Sequence, residues 1–482
     1  MKIVWGMSGF AHDAAITVMR GNEILFASST ERYSRIKNDK NFNNNILEDC
    51  LTYGKPDKIV WYENPLLKSI RCLLFDKEFV SPFIKNKLNL NNVKFSYCGH
   101  HESHLNASLY TAPFDIKNSL GVVIDTAGEF LTLSIWSIKD HNNKKIIYRQ
   151  YYPNSLGLFY SSITKLVGLK PQEEEYILMG MSAYGRSDKY YHYLKNHFFN
   201  DNLLIKDLRY GCDGLFSDKE IENNKFDIAL GAQMVYQEKV INLIKNFLRK
   251  TGYSKVIMSG GCALNCLCNS KILELVNDLW IFPNPGDSGS SLGAALQETK
   301  LLVNLKHLYL GHDSKCNPQI SNIIQALEKN GIVGVVNGRA EFGPRALGHR
   351  SILADPRIKD IKNRVNRIKG REQFRPFAPM ILESHFNSFF HNKTTSTYYP
   401  FMQYLFQCKD KTLYPGITHA DGSSRVQTVN KDSEFAFNLL TAWFNKTGCP
   451  MLLNTSLNIK GKPLVNSKLD VNEFNNDLVI IT

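Results

Sequence analysis

The sequence predicts an α/β protein in two parts: an amino-terminal duplicated unit, then a smaller α/β domain at the carboxy end. Three observations carry this. The first forty residues read as strand "KIVWGMS", a turn at Gly9, strand "AAITVMR", a "GN" turn and strand "EILFASSTER". Residues 119–151, "SLGVVIDTAGEFLTLSIWSIKDHNNKKIIYRQY", repeat that plan with an acidic first turn and an "NN" second turn. After residue 300 the pattern changes: turn-rich "LYLGHDSKCNPQ" precedes a helix "ISNIIQALEKN" and a strand "GIVGVVN". A chain of 482 residues exceeds one ordinary core, which fits two domains. The boundaries read as 1–305, a linker at 306–317, and 318–482.

Each three-strand unit is followed by mostly helical sequence. Duplicated units of that kind build the actin, sugar-kinase and heat-shock ATPase architecture, in which the tight first turn of each unit points into a shared cleft. Hydrophobic residues at 43% and charged residues at 21% describe a globular chain. The balance is basic, 58 Lys+Arg against 45 Asp+Glu, or +13. The cations are spread along the chain, which suits a phosphorylated small substrate and argues against direct nucleic-acid binding. The ten cysteines show no secreted framework, and Cys262, Cys266 and Cys268 lack paired C-x2-C zinc spacing; they read as small buried helix residues. "MKIVWGMSGFAHDAA" is broken by His12 and Asp13, unlike a signal peptide, and no apolar run is long enough to span a bilayer. A reduced, cytoplasmic enzyme is the expectation.

Strand "SKVIMS" runs into Gly260-Gly261 and a helix "CALNCLCNSKILELV"; shortly after, "FPNPGDSGSSLGAALQE" makes a second glycine-rich turn into a helix. Both offer free backbone N–H groups at a helix start, where an anion is favoured. Close helix–strand packing also needs glycine. Gly260, Gly261 and Asn265 are therefore candidates for contact with a nucleotide.

In "CGHHESHLNASLY", His100 and His104 stand i, i+4 on one helix face and can reach one ion. Asp125, in the second unit's first turn, and Asp287, in the glycine-rich turn, are expected to end strands facing the same cleft. Two His and two Asp suit Fe(II), Mn(II) or Zn(II), with iron or manganese favoured by the absence of thiolate. His101 is the alternative ligand or a neighbour that orients one. His12, at the first hairpin tip beside Asp13, is the candidate base for an acceptor hydroxyl.

"NGRAEFGPRALGHRSILADPR" frames Arg345 with Gly343-Pro344 and Arg350 with Gly348. "VNRIKGREQFRPFAPMI" adds Lys369, Arg371 and Arg375, "HADGSSRVQTV" adds Ser424 and Arg425, and "LLNTSLNIKGKP" adds Asn454, Thr455, Ser456 and Asn458. Guanidinium forks matched with small hydroxyls suit a polyphosphate plus an acyl phosphate.

These motifs, with "ERYSRIKND", "HHESH", "YPNSLGLFYSSIT", "EEEYILMGMSAYG" and "GGCALN" upstream, closely resemble the O-carbamoyltransferase family of nodulation and antibiotic-tailoring enzymes, over nearly the whole chain. The resemblance implies an N-terminal duplicated actin/sugar-kinase-like (Kae1-like) domain followed by a YrdC-like α/β domain. It implies that the YrdC-like domain makes carbamoyl adenylate from carbamoyl phosphate and ATP, with magnesium accompanying the nucleotide. The Kae1-like domain would then pass the carbamoyl group to a hydroxyl, with a divalent metal, commonly iron. Residue by residue, His100, His104, Asp125 and Asp287 match the family's metal ligands and His12 its proposed base. Arg345, Arg350, Lys369, Arg375, Ser424, Arg425 and Ser456 match its carbamoyl-phosphate and nucleotide site. Arg345 and Lys369 are expected to act on the reacting groups.

An adenylate that hydrolyses so easily should move between sites inside the protein, through a channel or a tight domain interface. The family's E-Y-K-V-M-G reads E-Y-I-L-M-G here, with Ile177 in place of lysine. A tRNA-modifying threonylcarbamoyl transferase is the alternative, and a sugar kinase would leave the carboxy-terminal domain unexplained. The acceptor is expected to be a small molecule, sugar or nucleotide with a free hydroxyl, its pocket walls lying near residues 60–95 and 186–230. A homodimer is expected from related proteins.

Overall fold

The computed structural model describes residues 1–67, 93–200, 203, 204, 206, 208, 211–474 and 478–482. Most of the expected acceptor wall at 60–95 lies outside the described residues.

The first unit forms strands β1 (Ile3–Ser8), β2 (Ala15–Arg20) and β3 (Glu23–Ser29), joined by β4 (Lys58–Trp61) and β5 (Lys94–Tyr97). Their order is β3-β2-β1-β4-β5, antiparallel through the hairpins and parallel from β1 to β5. The second unit has β6 (Ser119–Gly128), β7 (Leu131–Ile138) and β8 (Lys144–Tyr151), then β9 (Lys255–Ser259) and β10 (Asp278–Ile281). Its order, β8-β7-β6-β9-β10, is the same pattern again. The duplication expected from alternation and turns is present: two five-stranded sheets of identical topology, the actin/sugar-kinase arrangement.

Two helices set the site between them. Helix α1 (His100–Leu109) follows β5, and a long α4 (Asp218–Thr251) covers the second sheet, after α2 (Leu156–Leu166) and α3 (Glu175–Met181). After β9 the chain makes one 3-10 turn and then α5 (Cys266–Leu273), rather than one continuous helix from Cys262. Asn265 causes the break, because its side chain accepts from the Cys268 N–H at 3.0 Å and caps a new helix start. Helix α6 (Asp287–Thr299) packs at backbone distance on both sides. A Cβ on Gly6 of β1 would lie 1.9 Å from the Ser291 carbonyl oxygen, and one on Gly293 would lie 1.7 Å from that of Ser103. Only glycine admits such approach, and it brings the start of α6 to the start of α1.

The expected linker is not structureless. Strand β11 (Tyr309–Asp313) pairs antiparallel with β13 (Arg339–Glu341), tying the connection into the following domain. That domain contains α7 (Ile320–Asn330), β12 (Ile332–Val336), β14 (Arg350–Ala354), α8 (Ile361–Ile368), β15 (Ala378–Leu382), β16 (Gln427–Val429), α9 (Glu434–Thr447), β17 (Met451–Ser456) and β18 (Ile480–Ile481). Its sheet runs β16-β15-β17-β14-β12-β18, mixed in direction. The last strand closes the edge beside Gly334 and Val335. One core gathers Trp5, Trp61, Leu105 and Leu292 around the first sheet. A second runs from Val122 and Ile244 in the second sheet's layer to Trp443 and Leu453 in the carboxy-terminal domain.

Candidate active site

The four expected ligands meet. Asp125 lies within β6, at the register shift between Ile124 and Gly128, and Asp287 opens α6 rather than ending a strand. His100 Nε2 and His104 Nε2 each stand 3.1 Å from Asp125 Oδ2, and 3.7 and 3.3 Å from Asp287 Oδ1. One ligand atom from each residue falls within 4.8 Å of the others. Ser290 Oγ, 3.0 Å from His104 Nδ1, fixes that ring, and the Thr126 N–H donates to Asp125 Oδ1 at 2.7 Å. The close approach is tight: a Cβ on Gly128 would strike the His100 ring at 1.9 Å.

Burial alone would raise the Asp125 carboxyl, but the two histidines bonded to it hold it well below the usual range. Asp287 is lowered too, the histidines again outweighing its burial. Nitrogen and oxygen donors that converge in this way, with His104 and Asp125 oriented by Ser290 and the Thr126 N–H, fit a divalent cation. His101 is not part of the set. Its Nδ1 meets Ser134 Oγ at 2.8 Å and its Nε2 the Leu131 carbonyl at 3.2 Å.

His12 sits on the same cavity, its Nδ1 3.0 Å from Asp13 and its Nε2 3.2 Å from the Gln172 carbonyl. Burial opposes charge on the ring, yet Asp13, Asp287 and the Gln172 carbonyl together push its pKa up to about 10. Both ring nitrogens of this candidate base face acceptors.

The carboxy-terminal cations divide into two groups. Arg345, Lys369, Arg371, Arg375 and Arg425 line one cavity of about 1070 Å³, which also reaches Asp125 and Asp287. Arg345 makes no hydrogen bond or ion pair with the described residues, and burial, then Arg425, pushes it down to about 9. Arg425 is also lowered by burial, and its Nε has no hydrogen-bond partner among the described residues. Arg375 lies over the Tyr176 ring at 5.0 Å and Arg371 over Phe377 at 4.4 Å. Lys369 is lowered well below its ordinary value by burial, then by Arg371 and Arg375. Its ammonium is committed to the turn after β17, donating to Ser456 Oγ at 3.2 Å, Asn458 O at 2.9 Å and Asn458 Oδ1 at 2.8 Å.

Arg350 is the correction. It does not line the cavity. Its guanidinium is buried and donates to the backbone carbonyls of Asn466, Asn337, His349, His312 and Gly338. The glycine framing serves a structural arginine that fastens β14 to its surroundings. Glu341 supplies the stiffness of the preceding loop, accepting the N–H groups of Leu347, His349 and Arg350 at 2.7, 2.9 and 3.2 Å.

Gly260 also differs from expectation. Its N–H bonds the Pro285 carbonyl at 3.0 Å, its φ is +90°, and a Cβ would lie 2.1 Å from the Ile124 carbonyl oxygen. It serves the crossing of β9 and β6, while Gly261 faces the cavity. Asn265 lines the cavity with its amide closed onto Gln233 by bonds of 3.0 and 2.9 Å. Ser424 Oγ points to the Ile417 carbonyl at 2.5 Å. Cys262, Cys266 and Cys268 are thiols among the core packing, with Cys262 and Cys268 raised by burial.

Ile177 is buried at the cavity wall. Lys165 does not replace the missing lysine, since its Nζ pairs with Asp213 at 2.5 Å. Lys37 reaches this side instead, 5.2 Å over Tyr176 and 3.4 Å from the Glu173 carbonyl. Neither Lys37 nor the Gln172 loop was singled out from sequence, although Lys37 belongs to the quoted "ERYSRIKND" motif.

Beside the cavity, the His349 ring stacks on Tyr309 with centroids 3.5 Å apart and planes at 4°. Burial, helped by Arg350 and opposed by Glu341 and the Arg339 carbonyl, pushes His349 down to about 4. A histidine lowered on folding supports the native state fully above its unfolded value near 6.5 and loses that support as pH falls toward 4. Between those values wild type is expected to lose on the order of 3 kcal/mol from this group. In urea titrations, His349→Gln should lack that part of the acid slope.

Two five-stranded sheets of one topology and a third, mixed sheet share a cavity lined by carboxylates, imidazoles and guanidiniums. The chain belongs to the carbamoyltransferase family: residues 62–296 match the model of the carbamoyltransferase N-terminus and residues 324–480 that of the C-terminus. An uncharacterised protein of Methanocaldococcus jannaschii is 31% identical over 96% of this chain and 95% of its own. Nodulation protein NolNO of Sinorhizobium fredii is 28% identical over 96% of this chain and 76% of that protein. Among solved structures, full-length HypF in its phosphate- and nucleotide-bound form superposes on 62% of this chain and 55% of HypF, at 14% identity and a TM-score of 0.42. No helix among the described residues is long and apolar enough to cross a membrane.

Proposed function

We propose that the protein is an ATP-dependent O-carbamoyltransferase that forms carbamoyl adenylate among the carboxy-terminal arginines and transfers the carbamoyl group beside His12. A cavity lined by His12 together with the carboxy-terminal arginines is the observation that supports this reading. The balance of atoms sets the steps. Water cleaves carbamoyl phosphate to carbamate and phosphate. The carbamate oxygen attacks the α-phosphorus of ATP, which arrives with magnesium, and pyrophosphate leaves. An acceptor hydroxyl then attacks the carbamoyl carbon, the bond to the AMP phosphate breaks, and the hydroxyl proton goes to His12 Nε2.

Arg345 and Arg425 are partly buried cations that pair with no carboxylate among the described residues, and phosphoryl oxygens supply the counter-charge. Arg371 and Arg375 hold the next layer of positive field. Lys369 fixes the Ser456–Asn458 turn through four oxygen acceptors, placing the Ser456 and Thr455 hydroxyls on the cavity wall. His100, His104, Asp125 and Asp287 would hold a divalent metal, Fe(II) in the family's common form, which supplies Lewis acidity toward the carbamoyl or phosphate oxygens. The acceptor is a hydroxyl-bearing small molecule, sugar or nucleotide.

ATP–pyrophosphate exchange that depends on carbamoyl phosphate tests the reading. Exchange without carbamoyl phosphate, or ADP as the nucleotide product, would overturn it. Threonine with bicarbonate driving the exchange instead would place the protein with the threonylcarbamoyl enzymes.

A further inference from the structure

We propose that residues 30–38 form a strap by which the amino-terminal part holds both lips of the cavity shut, with Arg32 and Arg35 as positioning residues. This rests on the adenylate reading above. The segment leaves β3 as a one-turn helix, Glu31–Ser34, and Arg35 reverses it in the left-handed conformation at φ 58°. Asn38, at φ 56°, returns its N–H to Glu31 Oε2 at 3.1 Å, closing the segment on itself. Glu31, Lys37 and Asn38 face the cavity, whereas Arg32 and Arg35 reach past it into the carboxy-terminal part.

Arg32 is 2% exposed and donates Nη2 to the Gly343 carbonyl at 2.5 Å, two residues before Arg345. Its Nε lies 3.5 Å from Glu31, and neither Nε nor Nη1 makes a hydrogen bond with the described residues. Arg35 grips the other lip. Its Nη1 donates to the Leu464 carbonyl at 2.5 Å and its Nη2 to the Pro463 carbonyl at 3.1 Å. Glu473 orients the same guanidinium with contacts of 3.2 and 3.0 Å.

Gly343, Pro463 and Leu464 line the cavity, while Arg32 and Arg35 do not. Both arginines bind main-chain carbonyls, so they fix backbone position rather than any ligand. A buried guanidinium with two nitrogens unbonded is costly, and a location tied to the Arg345 loop gives that cost a purpose. Carbamoyl adenylate is destroyed when water attacks its carbamoyl carbon, the bond to the AMP phosphate breaks, and carbamate and AMP depart. A strap that seals the joint keeps that water out.

Arg35→Gln and Glu473→Gln test this with ATP and carbamoyl phosphate alone, no acceptor present. Wild type should show fast pyrophosphate exchange and slow AMP release. Arg35→Gln should keep exchange within about twofold and raise AMP release about tenfold or more. Glu473→Gln, which leaves the carbonyl bonds in place, should raise AMP release by a smaller factor at unchanged exchange. Unchanged AMP release in both variants, or exchange falling in step with it, would overturn the strap. Wild type without exchange would refute the adenylate reading itself, a separate result.

Discussion

Arg345→Ala protein is expected to lose carbamoyl-phosphate-dependent ATP–pyrophosphate exchange by about 10²–10³-fold while melting at the same temperature as wild type or a few degrees higher. The two readouts move apart because of how the residue is held. Arg345 is half-buried at the cavity, bonds no described residue, and shares its surroundings with Arg425. Its pKa is pushed down to about 9, first by burial and then by Arg425. A cation lowered on folding weakens the folded state wherever it stays charged, so removing it relieves the fold at neutral pH. Phosphoryl oxygens are the partner that reverses this cost. Retained exchange would remove Arg345 from the adenylate site; lost exchange with a collapsed melting temperature would make it structural, like Arg350.

Arg345 and Arg350 together show what the sequence could and could not tell. Both are framed by glycine, and framing signals only that an arginine is held in place. The groups that decide its role lie far away: the Asn466 carbonyl that Arg350 binds is 116 residues on. The duplicated sheets were legible because alternation and hairpin turns are local. The His/Asp quartet was legible because helical spacing and two turns of the same fold point inward. Asp287 was misplaced by one element, since its glycine-rich turn reads alike as a strand end or a helix start. The stretch that reads as the linker carries β11, which holds its shape through β13, a pairing its own turn-rich residues do not announce. Glu341 escaped notice because its value lies in three N–H groups that point at it only once the loop has closed.

The other large effect is at His12. His12→Gln should leave pyrophosphate exchange intact and lower incorporation of label from [14C]carbamoyl phosphate into hydroxylated metabolites by about 10²–10⁴-fold. Loss of both steps would refute the division of labour between the two ends of the cavity. The resting geometry adds a pH dependence. Both ring nitrogens face acceptors, Asp13 at 3.0 Å and the Gln172 carbonyl at 3.2 Å, and the pKa is raised to about 10. A base must first be deprotonated, so transfer in wild type should climb with pH, up to tenfold per unit, through the neutral range. The acceptor hydroxyl must also take the place of the Gln172 carbonyl at Nε2. Asp13→Asn removes the main group holding the proton and leaves burial, which acts in the opposite direction. The rising limb should therefore move to lower pH in that variant, with exchange unaffected. A limb that stays in place would mean that Asp13 does not set the His12 proton, and that the hydroxyl proton leaves by another route.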